Sequence, residues 1–301
     1  MENGILEELK EKYKLSHGEH EERGKRIKDV FLKGKTPVEK PIAIFDFAPP
    51  GSGKTRLNGY GVSQFPNNNV VVINSDELKP FHPKKDEIAR LYPQYYTKIT
   101  DQESNPWTDE LLNEAINGGY NIIYEGTGRN RRVIETMETK MQRYRIIVRG
   151  MAVNELNCLM SILERYKEQV AKRGWGRLVT VEHFYKAYDK MPETIGMMEQ
   201  LYFVNEVEIY HRGEGKIDPI RIYASDEKQK RFPNAQIAVI AGRDEDKKNA
   251  IKCYKATIDR LEDLCKKDEK TEEAILLRKI KTLYEELTKK EIDTVEGHEV
   301  H

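Results

Sequence analysis

The chain has 301 residues, with 51 basic and 51 acidic side chains and a formal net charge of +0 at pH 7. Its length suits one α/β domain with additions or two small domains. The balanced charge gives no global basic field, so nucleic acid is not expected as a partner. No apolar run approaches membrane-spanning length, and the charged, amphipathic start MENGILEELKEKYK lacks the pattern of a secretory signal.

The three cysteines, Cys158, Cys253 and Cys265, are odd in number and lack the spacing of a zinc site. In a long chain they indicate packing roles in a reducing compartment. We therefore expect a cytoplasmic protein with no membrane attachment. Delivery to a target cell by a route that needs no signal peptide stays open.

The first part of the chain, residues 1–40, is rich in charge and predicts one or two helices. The prolines of GKTPVEKP mark a boundary, after which residues 41–242 are expected to form the core. Strands are predicted for six apolar runs: PIAIFDF (41–47), NVVVINSD (69–76), YNIIYEGTG (120–128), YRIIVRGMAV (144–153), PIRIYASD (219–226) and AQIAVIAG (235–242). Because helical sequence separates the early runs, they predict a doubly wound α/β fold, a parallel sheet with helices on both faces.

Helices are predicted over 109–119, which ends on the cap signal Gly118-Gly119, and over the Arg-rich span 154–201. Residues 243–301 predict a C-terminal helical hairpin, because apolar side chains recur at spacings of three and four in two arms. These side chains are Ile251, Tyr254, Ile258, Leu261 and Cys265 in one arm, and Leu276, Ile280, Leu283 and Leu287 in the other. We expect the hairpin to dock on the core or on a second copy.

The stretch FAPPGSGKTR follows the first predicted strand and nearly completes the pattern G-x-x-x-x-G-K-[ST]. Strand, Gly-rich turn and helix form a cradle for phosphates, in which backbone N–H groups and the helix N-terminus face the anion. Lys54 would reach the β- and γ-phosphates, and the Thr55 hydroxyl would hold Mg²⁺. Nucleotide-binding residues are predicted at Gly51, Ser52, Gly53, Lys54, Thr55 and Arg56. The alternative is a plain turn with a solvated lysine, and Ala48 stands where the pattern has its first glycine.

Polar residues follow the next two strands, at the sheet edge where ligands bind in such folds. Asp76 could accept the proton of an attacking hydroxyl. Equally, Ser75 or Asp76 could cap the following helix. Glu125 could hold Mg²⁺ through water or bind substrate hydroxyls, or it could be a polar turn residue.

The segment ILERYKEQVAKRGWGR places Arg165 on a helix and Arg177 after a Gly-Trp-Gly break. Glycines around basic residues suit a movable lid near 160–180, whose arginines would neutralise charge on a transferred phosphoryl group. The alternative is an exposed basic helix with i, i+4 ion pairs. His17 and His20 have metal-compatible spacing, but we expect a solvated pair.

From about residue 41 to about 200 the chain resembles the zeta-toxin family of P-loop kinases. The segments that carry the resemblance are PPGSGKT, INSDELKPFHP, GYNIIYEGTGRN and LERY, and GYNIIYEGTGRN is the most specific. The resemblance implies a P-loop kinase-like fold and ATP-dependent transfer to a hydroxyl. Well-known members phosphorylate UDP-N-acetylglucosamine, and related members act on NAD-type nucleotides. The last hundred residues have no counterpart in the resemblance.

The resemblance also implies roles for individual residues. Lys54 and Thr55 would bind ATP and Mg²⁺, and Asp76 would be the general base. The substrate would be contacted by residues of the EGTGR segment, Glu125, Thr127 and Arg129. Arg165 and Arg177 would bind the phosphates during transfer. Asp109 falls where some relatives have a substrate-binding glutamate, and its shorter side chain leaves the identity of the substrate open.

The expected function is therefore an ATP- and Mg²⁺-dependent kinase acting on a sugar nucleotide or related small molecule. It would be toxic to cells and controlled by an antitoxin or another inhibitor protein. Alternatives are an NAD or other nucleotide kinase, a polynucleotide 5′-hydroxyl kinase, and a nucleotide-binding module without transfer chemistry. The neutral charge disfavours the polynucleotide kinase, and the chain lacks an N-K-x-D segment for guanine.

Overall fold

The computed structural model describes residues 2–126, 131–213, 218–265 and 271–296. The chain divides into two compact units. The first unit comprises Met1–Phe47, Thr55–Arg149 and Met198–Val207, and the second comprises Ala48–Lys54, Gly150–Met197 and Glu208–His301.

The described strands form a six-stranded sheet with strand order β2-β3-β1-β4-β5-β6. Its strands are β1 (Ile42–Phe47), β2 (Val71–Ile73), β3 (Ile122–Gly126), β4 (Arg145–Met151), β5 (Glu206–His211) and β6 (Ile220–Ala224). β3 pairs in parallel with both β1 and β2, whereas β5 and β6 are antiparallel. The predicted α/β fold with a mostly parallel sheet is therefore confirmed.

Helices account for most of the remaining described residues. They are α1 (Glu2–Tyr13), α2 (His17–Phe31), α3 (Lys54–Ser63), α4 (Ser75–Leu78), α5 (Lys85–Leu91), α6 (Tyr96–Gly118), α7 (Arg131–Lys140), α8 (Glu155–Arg173), α9 (Val181–Tyr188), α10 (Met191–Glu199), α11 (Ala235–Leu264) and α12 (Glu272–Glu296). Short 3-10 turns lie at Pro66–Asn68 and Lys79–Phe81. Of the one or two helices predicted before the core, two are present, and Ser16 caps the second in a capping box with Glu19.

The core of the first unit lies on the strands that the apolar runs predicted. Ile44 of β1 and Ile123 of β3 pack in one cluster with Phe65, Val70 and Ile147. Burial of such side chains removes apolar surface from water and fixes the register of the strands. In that register Asp46 lies opposite Glu125, so the carboxyl ends of β1 and β3 are level.

Helix α6 confirms the predicted stop signal and extends the predicted helix. It ends with Gly119 in the left-handed conformation at φ 72, where glycine avoids the cost of a Cβ atom. Its start at Tyr96 lies well before residue 109, and Pro106 falls inside it. The sequence underestimated this helix because a proline inside a helical pattern usually marks a boundary.

Two expectations about the last part of the core were wrong. Residues 235–242 form the start of α11 and not a strand, because Asn234 caps the helix by accepting the backbone N–H of Ile237. The buried residues Ala235, Ala238 and Val239 follow the spacing of a helix face. The missing strand is β5, at Glu206–His211, a span that the sequence left without an element.

The C-terminal helical hairpin is confirmed, although α11 begins earlier than the hairpin was expected to. Its apolar stripe is buried at Tyr254, Ile258, Leu261, Leu276, Ile280 and Leu287. Both arms pack against α8 within the second unit, and Ile251 lies among the residues whose side chains the structure does not describe. In the described part of the chain, no helix has the length and apolar character needed to cross a membrane.

Candidate active site

The phosphate loop, residues 48–54, follows β1 and belongs to the second unit. Gly51 and Gly53 have φ 79 and φ 95, values that an L side chain adopts only at a cost. Ala48 is not among the positive-φ residues, so alanine costs nothing at the position where the motif has glycine. Alternating backbone conformation of this kind turns successive N–H groups to one side, as an anion nest requires.

Gly51 is also required for space. A Cβ atom there would overlap the carbonyl oxygen of Cys158, in the first turns of α8. Burial raises the pKa of Cys158 to about 12, so its thiol stays protonated and serves packing, as expected. The loop is therefore seated directly on the backbone of α8.

Two cationic side chains contact the phosphate loop within the second unit. Lys54 Nζ donates to the carbonyl oxygen of Ala48 at 2.9 Å. Arg212, directly after β5, donates to the carbonyl oxygen of Gly51 and, at 3.1 Å, to Ser161 Oγ. Arg212 was not predicted as a site residue because β5 was not predicted as a strand. The alternating run EVEIYH before Arg212 was the available signal.

The position of Asp76 excludes the capping alternative. Asn74 is the N-cap of α4, and its side chain accepts the backbone N–H of Asp76 at 2.9 Å. Asp76 and Glu77 instead occupy the first turn of the helix, where carboxylates suit the helix dipole. Of the two alternatives left open for Asp76, the helix cap is therefore ruled out, and the role of general base stays a prediction.

Glu125 ends β3 and is bound by two amides. Its Oε2 accepts from Asn58 Nδ2 at 2.6 Å and from Asn74 Nδ2 at 2.9 Å. Asn74 thus joins Glu125 to the first turn of α4 by both ends of its side chain. Burial raises the pKa of Glu77, and the charges of Glu125 and Asp76 raise it further.

Lys79, the first residue of the 3-10 turn that follows α4, completes this group. Its Nζ lies 2.5 Å from Asp76 Oδ1 and 2.9 Å from Asp101 Oδ1, and the residue is only 4% exposed. The strand-end network consists of Asn58, Asn74, Asp76, Lys79 and Glu125, all within the first unit. Of these, the sequence identified only Asp76 and Glu125.

The other substrate candidates are less fully described. Asp109 lies on α6, where burial raises the pKa of its carboxyl, and Arg132 is 4.0 Å away. Thr127 and Arg129 lie outside the described residues. Thr55 is exposed in the first turn of α3, and Arg56 follows it.

The lid candidates lie in the second unit. α8 carries Arg165 and ends at Gly174, which has φ 78 and confirms the predicted break in the helix. Arg177 follows in an irregular segment, and its backbone N–H donates to Gln169 Oε1 at 2.8 Å. The contact returns the chain onto α8 after the break.

The two N-terminal histidines are not a pair. His17 is exposed and lies 3.2 Å from Glu21. His20 instead lies between Glu103 and Glu110 and stacks on Trp107, so the expectation of a solvated pair was wrong for His20. Among the described residues, no group of three or more His, Cys, Asp or Glu side chains could hold a metal ion.

The loop conformation and Lys54 fit the phosphates of a nucleotide, and the Thr55 hydroxyl supplies an oxygen of the kind that Mg²⁺ prefers beside phosphates. Mostly parallel strands, a phosphate loop after β1 and carboxylates after β2 and β3 define a P-loop protein of the kinase-like class.

Within this class, the chain can be assigned to one family. The zeta toxin family model matches residues 28–228, and the chain belongs to the zeta toxin family. It is similar to toxin zeta of Enterococcus hirae, with 28% identity over 237 residues that cover 78% of this chain and 79% of the relative.

Two solved structures share the fold. One, from a description of the PezAT chromosomal toxin-antitoxin system of Streptococcus pneumoniae, has a TM-score of 0.71 and 21% identity, and the match covers 84% of this chain and 99% of the other. The other, AvrRxo1-ORF1:-ORF2 with ATP, has a TM-score of 0.53 and 13% identity, covering 88% and 86%.

Proposed function

We propose that this protein is an ATP-dependent kinase that transfers the γ-phosphate to a hydroxyl of a sugar nucleotide, with UDP-N-acetylglucosamine as the first candidate. The observation that supports it most directly is the phosphate loop, with Gly51 and Gly53 in left-handed conformations and Lys54 at its end. Membership of a family of P-loop, kinase-like toxins supports the reaction class.

The chemistry divides between recognition of phosphate and removal of a proton. The N–H groups of the loop and the Lys54 ammonium would bind the β- and γ-phosphates. The acceptor oxygen attacks the γ-phosphorus, the bond from that phosphorus to the β–γ bridging oxygen breaks, and the acceptor proton passes to the Asp76 carboxylate. A bound Mg²⁺ would neutralise charge on the phosphates, and the Thr55 hydroxyl is the ligand that this chain would supply.

The remaining candidates are assigned by the chemistry of their side chains. Arg165 and Arg177 would neutralise charge that develops on the transferred group. Glu125, whose Oε2 is held by two amides, would bind a substrate hydroxyl. Asp109 would contact the same substrate. Thr127 and Arg129, which carry the family pattern, would do so as well.

Toxicity and its control follow from the family. We propose that expression of the active chain in bacteria slows growth or causes lysis, and that a cognate antitoxin or other inhibitor protein restrains it in the cytoplasm. Two similar proteins support this proposal: one of the solved structures belongs to a toxin-antitoxin system, and the relative from Enterococcus hirae is named toxin zeta.

A mass-spectrometric screen tests the function. The purified chain is incubated with ATP, Mg²⁺ and single acceptors: UDP-N-acetylglucosamine, NAD, other nucleotides and a 5′-hydroxyl oligonucleotide. A gain of one phosphate on UDP-N-acetylglucosamine alone supports the proposal, and Lys54→Ala should lose that gain because the phosphates lose a positive charge. If NAD or the oligonucleotide gains the phosphate instead, that molecule replaces UDP-N-acetylglucosamine as the proposed acceptor. If the chain binds ATP but transfers phosphate to no acceptor, the kinase proposal is rejected.

Growth of bacteria expressing the chain tests toxicity separately. Wild type should slow growth, whereas Lys54→Ala at equal protein level should be tolerated. Equal toxicity of the two would mean that phosphoryl transfer is not the cause.

A further inference from the structure

Lys79 is a buried ammonium group between two carboxylates of the first unit. It is 4% exposed, and its Nζ lies 2.5 Å from Asp76 Oδ1 and 2.9 Å from Asp101 Oδ1. Lysine is seldom buried to this degree unless it is paired, because a charge removed from water is costly. The two carboxylates together compensate the buried charge of Lys79.

The two carboxylates differ in what else they can reach. The Asp76 side chain retains 50% of its exposure although Lys79 binds its Oδ1, so its carboxylate remains accessible to another group. Asp101 is on α6 and is 35% exposed. One cation shared by two carboxylates leaves the group of three with a net negative charge, so Lys79 orders Asp76 without cancelling its charge.

The backbone of Asp76 is fixed as well. Its N–H donates to Asn74 Oδ1 at 2.9 Å, and Asn74 is held in turn by Glu125. Backbone and side chain of Asp76 are thus held from opposite ends, by Asn74 and Lys79. A carboxylate that takes a proton during phosphoryl transfer needs such orientation, since misplacement by about 1 Å can cost 10²-fold in rate.

We propose that Lys79 is the positioning residue for the general base: it orients the Asp76 carboxylate towards the acceptor hydroxyl. The inference rests on the proposed kinase function. The competing explanation is that Lys79 only joins the turn after α4 to α6, through Asp101. In the first explanation, loss of Lys79 lowers the rate of transfer through Asp76. In the second, it lowers only the stability of the fold.

The test uses the full chain with ATP, Mg²⁺ and UDP-N-acetylglucosamine, or the acceptor that the screen identifies. Lys79→Met should lower kcat by about 10- to 100-fold and leave the KM for ATP within about twofold. Lys79→Gln is the second variant, for use if Lys79→Met impairs folding, and it should lower kcat by a similar factor. Lys79→Arg keeps the charge and both pairs, and should recover kcat to within about threefold of wild type.

Asp101→Asn is the matched control, because it removes the other partner of Lys79 and leaves Asp76 paired. Its kcat should stay within about threefold of wild type. In an Asp76→Asn background, Lys79→Met should change the residual kcat by less than about twofold, since its target is already gone. A loss of kcat in Asp101→Asn equal to that in Lys79→Met, or full additivity with Asp76→Asn, would overturn the proposal.

A failure of the kinase proposal can be distinguished from a failure of the inference about Lys79. If wild type phosphorylates no acceptor, the kinase proposal fails, and urea unfolding of the four chains of the Lys79→Met and Asp76→Asn cycle still measures the pair. Non-additive unfolding free energies would support the orientation of Asp76 by Lys79. Additive values would overturn it.

Discussion

The phosphate loop and the strand-end network are held in place by different means. The loop depends on backbone: two glycines with positive φ, a Gly51 seated on the carbonyl of Cys158, and cationic side chains that bind backbone carbonyls. The network depends on side chains, since amides hold Glu125 and an ammonium holds Asp76.

This difference predicts which substitutions each region tolerates. The loop should be sensitive to the size of a side chain at Gly51, even by one methyl group, because a Cβ atom there would overlap the Cys158 carbonyl. The network should tolerate changes that keep shape, but not those that change charge or hydrogen-bonding capacity. The predictions below test this contrast, beginning with the largest expected effect.

The largest effect is expected for Asp76→Asn. Asparagine keeps the shape of the side chain but cannot take up a proton at neutral pH, so transfer should fall about 10²–10⁴-fold. Because Asp76 pairs with the buried ammonium of Lys79, the melting temperature should fall, whereas the affinity for ATP should change little. Steady-state kinetics, calorimetric ATP titration and thermal melting measure the three quantities.

A mutant that melts early yet transfers phosphate at the normal rate would contradict the assignment of Asp76. The base would then be sought elsewhere, with Glu125 the next candidate.

The second effect concerns the size sensitivity of the loop. Gly51→Ala adds a methyl group where φ is 79 and where it would overlap the Cys158 carbonyl. The left-handed conformation alone costs alanine about 1–2 kcal/mol, and the overlap forces the loop off α8. We expect weaker ATP binding, by more than about tenfold, with a lower melting temperature.

Gly59→Ala is the control for that experiment, because a Cβ atom at Gly59 meets nothing within 4 Å. In the interior of α3, alanine should leave ATP binding unchanged and stabilise the helix slightly. Equal ATP binding by Gly51→Ala and wild type would show that the loop is not held as tightly as its contacts indicate.

A smaller effect is expected for Arg212, whose guanidinium joins Gly51 to Ser161. Arg212→Met should raise the Kd for ATP about tenfold, because a charged hydrogen bond is worth about 1.5–3 kcal/mol. Lysine cannot bind both partners in the same fork, so Arg212→Lys should restore only part of the loss. A Kd unchanged in Arg212→Met would remove Arg212 from the support of the loop.

The sequence predicted the backbone-dependent region better than the side-chain-dependent one. The loop is one contiguous motif after an apolar run, so its strand, turn and Lys54 could be recognised together. Asn58 and Asn74 lie 67 and 51 positions from Glu125, and no local pattern pairs them. Lys79 would be taken for a surface lysine, because only the fold shows that it is buried.

The errors in secondary structure have a related cause. AQIAVIAG contains apolar residues at both strand and helix spacings, and the cap at Asn234 decided for a helix. EVEIYH has charged residues at positions that the fold buries, Glu206 and Glu208, paired with Arg145 and Arg221. A local cap therefore determined the first element, and tertiary partners that the sequence cannot supply determined the second.

The smallest effect, and the one that tests the charge sensitivity of the network most finely, is expected for Glu77→Gln. Burial and then the charges of Glu125 and Asp76 raise the pKa of Glu77 in the folded state. The native state therefore binds the proton more tightly than the unfolded chain, and stability falls as the pH rises from the unfolded pKa through the folded one. Glutamine removes this penalty, so the variant should melt higher than wild type at pH 7.

Because solvent screens the carboxyl, the gain should be on the order of 1 °C, and it should vanish below about pH 4, where the glutamate is protonated in both states. Glu22→Gln, at an exposed position of α2, serves as the control for the loss of a surface carboxylate. Thermal melts of the three proteins from pH 4 to pH 8 measure the difference. A Glu77→Gln protein less stable than wild type at pH 7 would mean that the Glu77 carboxylate stabilises the folded state. That result would contradict the destabilising effect expected from burial and from the neighbouring charges.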